Sequence, residues 1–227
     1  MTGARVDNEP RWRAVLFDLD GTLTDPKVGI TRSIQYALRK RGIAPPDADE
    51  LEPFIGPPLE QSFRERLGLD EVEARRAVAD YREYFSQQGL YENEVYDGIP
   101  ALLRDLRDAE LRVCLATSKP MVFAERILEH FDLARHFDLV VGSQLDGTHV
   151  EKAEIVATAL AGVSGILPER VVMVGDRRHD VHGARANGID AIAVTYGYGT
   201  REELSAALPT SLAESVLELR RLLLAVV

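Results

Sequence analysis

The spacing of hydrophobic and polar residues changes along the chain, and this change predicts how the protein is organised. Apolar runs with the length of buried strands lie at residues 14–17, 112–116, 139–142, 170–174 and 189–194. Segments with helical spacing of apolar residues alternate with them at 101–109, 120–131, 151–161, 181–187, 201–207 and 211–225. This alternation predicts an α/β fold, a doubly wound parallel sheet with helices on both faces.

The segment between residues 26 and 93 has helical spacing only. Helices are predicted at 31–41, 60–67 and 71–88, separated by Pro-containing loops at 44–47 and 54–59. No strand is predicted in this segment. We therefore expect a small all-α domain at 26–93, inserted into a core domain made of residues 1–25 and 94–227.

Composition and charge narrow the choice of partners and compartment. The formal net charge of −10 argues against a nucleic-acid backbone or an anionic membrane as the main partner. The single cysteine, Cys114, excludes an internal disulfide and is predicted to be a buried thiol, because it lies in an apolar run. Residues 1–12 lack the apolar stretch of a secretory signal, and no apolar run approaches the ~20 residues of a membrane helix. The expected location is cytoplasmic.

The first predicted strand ends in two carboxylates, Asp18 and Asp20, followed by Gly21. Residues i and i+2 of a strand point to the same side, and a glycine lets the backbone turn, so both side chains can converge. Two like charges this close require a cation or a shared proton, which predicts a metal site or an acid/base dyad. A surface turn is the alternative, since Asp and Gly favour turns. A calcium-binding loop does not fit, because its twelfth position would be Glu and here it is Gly29.

Polar residues follow two other predicted strands at the point where each strand ends. Residues 117–119 follow the strand at 112–116, and Asp176 and Asp180 follow the strand at 170–174. Ligands of α/β sheets bind beyond the carboxyl ends of the strands. These residues are therefore expected to meet Asp18 at one edge of the sheet.

Taken singly, several of these residues have ordinary interpretations. Residues 117–118 could cap the following helix, and Lys152 could be a solvated helix residue, with Lys119 as a competitor for any role at the site. Residues 177–179 are interpreted as a solvated loop. Residues 197–199 are interpreted as a loop flanking the site, because the third glycine of a dinucleotide-binding motif is missing.

In combination, the motifs resemble the four motifs of the haloacid dehalogenase-like (HAD) hydrolases. They are Asp18-x-Asp20 after the first strand, Thr117 after the second, Lys152, and Gly175-Asp176-x-x-x-Asp180. The resemblance covers nearly the whole chain. It implies a Rossmann-like core, with the all-α insert as the cap domain of a subfamily I phosphatase.

The resemblance also implies roles for individual residues. It assigns catalysis to Asp18, Asp20, Thr117 and Lys152, and phosphate binding to Thr117, Ser118, Lys152 and the backbone near Gly21. A Mg²⁺ cofactor would be held by Asp18, the main-chain carbonyl of Asp20, Asp176 and Asp180, the last directly or as an outer-shell partner. Asp18 would become an aspartyl-phosphate, while Asp20 would protonate the leaving oxygen and then activate water.

Further similarities bear on the substrate. Residues 54–63 resemble the cap loop of members named phosphoglycolate phosphatases, 5′-nucleotidases and pyrophosphatases, and residues 117–125 and 195–199 are most similar to the nucleotidase-named branch. We expect hydrolysis of a small soluble phosphometabolite, either a nucleoside 5′-monophosphate or phosphoglycolate. The resemblance argues against dehalogenation and phosphonate cleavage, because family members with those activities lack the second Asp of the Asp-x-Asp motif, which is Asp20 here. A pyrophosphatase, a sugar-phosphate mutase and a non-catalytic phosphate-binding protein remain alternatives, and monomer and dimer are both open.

Overall fold

The computed structural model describes residues 10–226 and contains a six-stranded, entirely parallel sheet. The strands are β1 (Ala14–Phe17), β4 (Arg112–Pro120), β5 (Leu139–Ser143), β6 (Val171–Gly175), β7 (Asp190–Val194) and β8 (Ser211–Ala213), in the spatial order β5-β4-β1-β6-β7-β8. A separate antiparallel ribbon pairs β2 (Thr24–Asp25) with β3 (Glu94–Val95). The predicted α/β fold with a doubly wound parallel sheet is confirmed.

Nine α-helices connect the strands within the described residues. Three lie between β2 and β3: α1 (Lys27–Lys40), α2 (Leu59–Leu67) and α3 (Glu71–Tyr84). The others are α4 (Ile99–Asp108), α5 (Met121–His130), α6 (Lys152–Gly162), α7 (Arg178–Ala186), α8 (Arg201–Ala207) and α9 (Val216–Leu223). Short 3₁₀ segments also occur, including Asp49–Phe54 in the insert.

Alternate residues of the central strand face two different hydrophobic cores. Val15 and Phe17 of β1 belong to one core with residues of α1, α4, α5 and α9, whereas Ala14 and Leu16 belong to the other with residues of α6, α7 and α8. All four side chains are fully buried. Because successive side chains of a strand point to opposite faces, a continuous apolar run is what a sheet covered on both faces requires.

Three predicted helix boundaries differ from the observed ones by four residues or more. α1 begins four residues early, at Lys27, because the Asp25 carboxylate accepts the Lys27 N–H at 3.0 Å. The helix predicted at 71–88 is α-helical only to Tyr84 and continues as a π-turn over Phe85–Gly89. The helix predicted at 211–225 begins only at Val216, after residues 211–213 have joined the sheet edge as β8.

β4 extends beyond its predicted end at residue 116 and contains an irregularity. Thr117 pairs with Gly142 and Pro120 with Ser143, so Ser118 and Lys119 have no partners in β5. A Cβ on Gly142 would lie 2.7 Å from the Lys119 carbonyl oxygen, and only glycine leaves room for this close approach. Extra residues of this kind turn side chains away from the regular pleat, and here the Lys119 side chain contacts Asp20, three residues after the end of β1.

No helix within residues 10–226 is long and apolar enough to cross a membrane. The predictions made for residues 1–9, including the absence of a secretory signal, lie outside the described residues. The division into a core and a cap domain and the cytoplasmic location stay predictions.

Candidate active site

The predicted site residues lie at the carboxyl ends of β1, β4 and β6, which are neighbours in the sheet. Asp18 follows β1 directly, Thr117 lies near the end of β4, and Asp176 follows β6. All three side chains are buried, and so is Lys152. Burying an unpaired charged group costs free energy. Polar side chains that are buried together at the ends of strands therefore indicate a functional site.

Lys152 forms ion pairs with two carboxylates at the carboxyl end of the sheet. It is the first residue of α6, and its Nζ lies 2.9 Å from Asp18 Oδ1 and 2.8 Å from Asp180 Oδ1. Nζ also donates a hydrogen bond to the Ala116 carbonyl oxygen at 3.1 Å. Burial acts to lower the pKa of Lys152, but the charges of Asp18 and Asp180 outweigh it and raise that pKa. Lys152 is therefore a permanent cation beside Asp18.

Asp18, Asp176 and Asp180 form a buried carboxylate cluster. One oxygen of each lies within 4.8 Å of the others. Asp176 Oδ1 is buried and has no hydrogen-bond partner. Burial raises the pKa of Asp176 well above its ordinary value, and the charges of Asp180 and Asp18 raise it further. Asp18 Oδ1 and Asp180 Oδ1 also lack a hydrogen-bond partner but lie beside the Lys152 ammonium, whereas Asp176 Oδ1 has no such cation. These hard oxygen donors fit a divalent cation, which would relieve the repulsion.

Two glycines allow the backbone to approach Asp176. Gly21 has φ +79°, and a Cβ there would lie 2.1 Å from Asp176 Oδ2. A Cβ on Gly197 would lie 2.5 Å from Asp176 Cβ. The N–H of Tyr198 donates to Asp176 Oδ2 at 2.8 Å. Residues 197–199 therefore flank the site, as predicted.

Asp20 lies outside the carboxylate cluster and pairs with a different lysine. Lys119 Nζ lies 2.5 Å from Asp20 Oδ2 and 4.8 Å from the ring centroid of Phe85. Burial raises the pKa of Asp20 although the Lys119 charge opposes it. Lys119 is thus not a competitor for the position beside Asp18. The irregularity in β4 places it on Asp20, and no signal in the sequence indicates that partner.

Thr117 and Ser118 are close to the site but are not helix caps. Thr117 Oγ1 accepts the Lys119 N–H at 3.2 Å, and Ser118 Oγ donates to the Val150 carbonyl oxygen at 3.3 Å. α5 begins at Met121 without a side-chain cap. Their role as phosphate ligands stays a prediction.

Two cavities of different size open onto these residues. A small one of about 50 Å³ lies beside Asp18 and Lys152, and residues of the insert cover it, namely Gly56, Pro58 and Gln61. A larger one of about 700 Å³ lies beside Asp20 and Lys119. Its remaining walls come mainly from the insert and include apolar and aromatic side chains, namely Ile30, Phe54, Leu59, Tyr81 and Phe85. Both cavities are lined by Gly56, Pro58 and Gln61, so they are neighbours.

The interpretation of residues 177–179 as a solvated loop is wrong for Arg177 and His179, whereas Arg178 is exposed. Arg178 and His179 belong to α7, and His179 is half-buried. Arg177 precedes this helix, and its side chain is only 11% exposed. It is bound by Glu203 and by the insert. Because these partners are distant in sequence, no local pattern of residues predicts the contacts.

The comparisons with known proteins agree with this geometry. The family model described as haloacid dehalogenase-like hydrolase matches residues 15–194. A 5′-nucleotidase from Pseudomonas aeruginosa is 49% identical over 213 residues, which cover 94% of this chain and 96% of the relative. The tyrosine-protein kinase PtkA from Mycobacterium tuberculosis is 46% identical over 185 residues, which cover 82% of this chain and 62% of PtkA. The crystal structure of a predicted phosphatase from Clostridium acetobutylicum matches with a TM-score of 0.89 and 47% identity, covering 92% of this chain and 97% of that one.

A parallel α/β sheet with a buried lysine and a carboxylate cluster at its carboxyl edge defines the class of protein. The chain belongs to the haloacid dehalogenase-like hydrolase family and is a phosphatase of that family. The predicted family resemblance is thereby confirmed.

Proposed function

We propose that this phosphatase hydrolyses a small phosphomonoester through an aspartyl-phosphate on Asp18, with Mg²⁺ as cofactor. The observation that supports this most directly is the position of Asp18. Its carboxylate is ion-paired with the buried Lys152, and Asp18 lines the small cavity that the insert covers. A carboxylate so placed can take up a phosphoryl group and divide one difficult step into two.

Lys152 has a double role in this proposal. Its ammonium offsets the repulsion between the Asp18 carboxylate and a phosphate dianion, and it holds the attacking oxygen in place. Asp180 holds Lys152 from the other side, and Asp180 Oδ2 also accepts the Arg177 N–H at 3.0 Å. Both oxygens of Asp180 are thus engaged, which favours an outer-shell role for this residue.

Asp20 serves the leaving group. Asp20 lines the large cavity. Its Oδ2 is bound to Lys119, whereas Oδ1 is buried without a hydrogen-bond partner. Oδ1 is therefore the oxygen available to protonate the leaving alkoxide and, in the second step, to take a proton from water attacking the phosphorylated Asp18.

Mg²⁺ would be held by Asp18, Asp176 and the main-chain carbonyl of Asp20, with Asp180 behind them. The unsatisfied Asp176 Oδ1 and the chemistry of these oxygen donors support this choice. When bound, the ion supplies positive charge that neutralises the transferring phosphate.

The large cavity favours a nucleoside 5′-monophosphate over phosphoglycolate. Cavities that bind drug-sized molecules have volumes of about 300–1,000 Å³, and this one, at about 700 Å³, would be mostly unfilled by a glycolate group. Its wall combines aromatic and apolar side chains with polar ones such as Gln61 and Gln144, which suits a nucleoside. The name of the Pseudomonas relative, a 5′-nucleotidase, agrees with this proposal.

The test of this function is phosphate release from a panel of metabolites, with Mg²⁺ and with a chelator. The panel contains nucleoside 5′-monophosphates, phosphoglycolate, pyrophosphate and hexose phosphates. We expect one or more nucleoside monophosphates to stand above the rest and activity to disappear in chelator. Conversion of a hexose phosphate to its isomer would instead indicate a mutase. Transfer to a tyrosine-containing peptide would indicate the activity for which PtkA is named.

Stability measurements at two pH values test the proposed Mg²⁺ site without relying on activity. The folded pKa of Asp176 is raised, so in metal-free protein its contribution to stability is fully present below the unfolded pKa of about 3.9 and is lost as pH rises through the folded value. Mg²⁺ binds the deprotonated form. We therefore expect Mg²⁺ to raise the melting temperature more at pH 8 than at pH 5, with a gain of about 2.7 kcal/mol at 100 times its Kd.

The control for this experiment is Asp176→Asn. This variant should lose the Mg²⁺-dependent gain, while its metal-free form should be at least as stable as the metal-free wild type at pH 8. A gain that is the same at both pH values and survives in Asp176→Asn would contradict the proposed site.

A further inference from the structure

The Arg177 side chain connects the core to the insert beside the small cavity. One guanidinium nitrogen donates to the Ile55 carbonyl oxygen at 2.7 Å, and Ile55 lies in the loop before α2. Nε and the other terminal nitrogen face the two oxygens of Glu203, at 3.0 and 3.4 Å. Only a planar guanidinium presents donors in these directions at once.

Glu203 is itself fixed, so the guanidinium has a defined orientation. Its Oε1 also accepts the Arg178 N–H at 3.0 Å, and its own N–H donates to Thr200 Oγ1 at the start of α8. Arg177, Arg178 and Glu203 therefore form one connected unit at the start of α7, directly after Asp176. A hydrogen bond from a charged donor in a half-buried place is stronger than an exposed neutral one.

The segment that Arg177 holds is the roof of the small cavity, which we define as residues Gly56, Pro58 and Gln61. Gly56 has φ +102°, and a Cβ there would lie 3.2 Å from Arg177 Cγ. The roof therefore packs closely against the aliphatic part of the Arg177 side chain. Arg177 also lines this cavity together with Asp18. Its contacts thus connect the roof to the part of the core that surrounds Asp18.

We propose that Arg177 is a positioning residue that holds the roof over Asp18 and links the position of the roof to the Asp176 loop. This inference rests on the proposed function. A roof held in this way excludes water other than the attacking molecule and keeps the phosphate against Asp18. Because the leaving group lies in the other cavity, loss of Arg177 should affect kcat more than KM.

Arg126 supplies a matched control. It also donates to a carbonyl oxygen of the insert, that of Ser86, at 2.8 Å, and its guanidinium lies 5.8 Å from the ring centroid of Tyr91. It belongs to α5 and lies outside the linings of both cavities. Removing Arg126 therefore takes away a bridge between core and insert without touching the roof.

The experiment compares Arg177→Met, Arg177→Lys, Glu203→Gln and Arg126→Met. For each we would measure kcat and KM on the best nucleoside monophosphate, and amide hydrogen exchange over residues 54–61. We expect Arg177→Met to lower kcat by about tenfold or more with a smaller change in KM, and to accelerate exchange in the roof. Arg177→Lys should not restore either quantity, because an ammonium cannot serve Ile55 and Glu203 together. Glu203→Gln should also lower kcat and accelerate exchange in the roof, but by less than Arg177→Met.

Arg126→Met should remain within about twofold of wild type in kcat and unchanged in roof exchange. The inference is overturned if the Arg177 variants match Arg126→Met, or if Arg177→Lys restores kcat fully, since charge alone would then be sufficient. Inactive wild-type protein would refute the proposed function instead, and the exchange data would still report whether Arg177 holds the roof.

Discussion

Asp18→Asn is expected to reduce phosphate release by at least about a thousandfold, because an amide oxygen cannot form the phosphoryl intermediate. The fold should survive. Asn has nearly the same shape as Asp, and the substitution removes one of three crowded negative charges while Lys152 keeps its ion pair with Asp180. The measurement is steady-state phosphate release, together with the melting temperature in chelator.

Asp132→Asn is the matched control for this prediction. It makes the same chemical change at an exposed carboxylate that forms a surface ion pair with Arg135, and it should leave turnover unchanged. Asp20→Asn complements Asp18→Asn. With an aryl phosphate, whose leaving group needs no proton from Asp20, mass spectrometry of Asp20→Asn should show one added phosphoryl group that Asp18→Asn lacks. Normal turnover in Asp18→Asn would refute the mechanism.

Lys152→Met is expected to abolish activity and also to destabilise the fold, by about 3–5 kcal/mol. The substitution leaves Asp18 and Asp180 buried with no cation between them, which is more costly than the loss of an exposed ion pair. Methionine approximates the length of the lysine stem, so packing against Gly183, where a Cβ would lie 2.8 Å from Lys152 Cγ, should be kept. Denaturant unfolding and phosphate release measure the two effects.

A double variant separates the two effects of losing Lys152. Lys152→Met combined with Asp180→Asn removes one of the stranded charges, so it should recover part of the lost stability but none of the activity. Full stability in Lys152→Met alone would show that the two ion pairs add nothing to the fold. Full activity in either variant would show that the charge beside Asp18 is dispensable.

Much of the fold could be predicted from the residues themselves. β1, β6 and β7 are buried on both faces of the sheet, and the partly buried β5 packs against both cores. Their apolar runs therefore stand out, and their ends are placed within about one residue. β8 was missed because it has only three residues, and a segment this short does not distinguish a strand from the start of a helix.

The candidate site could be predicted in part, for a topological reason. Parallel strands present their carboxyl ends at one edge, so polar residues that follow β1, β4 and β6 meet regardless of their separation in sequence. That rule placed Asp18 and Asp176 in the same cluster. It did not predict which lysine pairs with which carboxylate, because Lys119 turns toward Asp20 only through two extra residues in β4.

The chain alone therefore specified the α/β sheet, the carboxylates at its edge and the helical insert, since each depends on local hydrophobic pattern and on the rules of parallel sheets. Folding in three dimensions added the Lys119–Asp20 pair, the roof over Asp18 and the Arg177 bridge to Ile55 and Glu203. Lys119 and Asp20 are 99 positions apart, and Arg177 and Ile55 are 122 apart. Contacts at such distances depend on how the insert packs against the sheet, and no local pattern of residues encodes them.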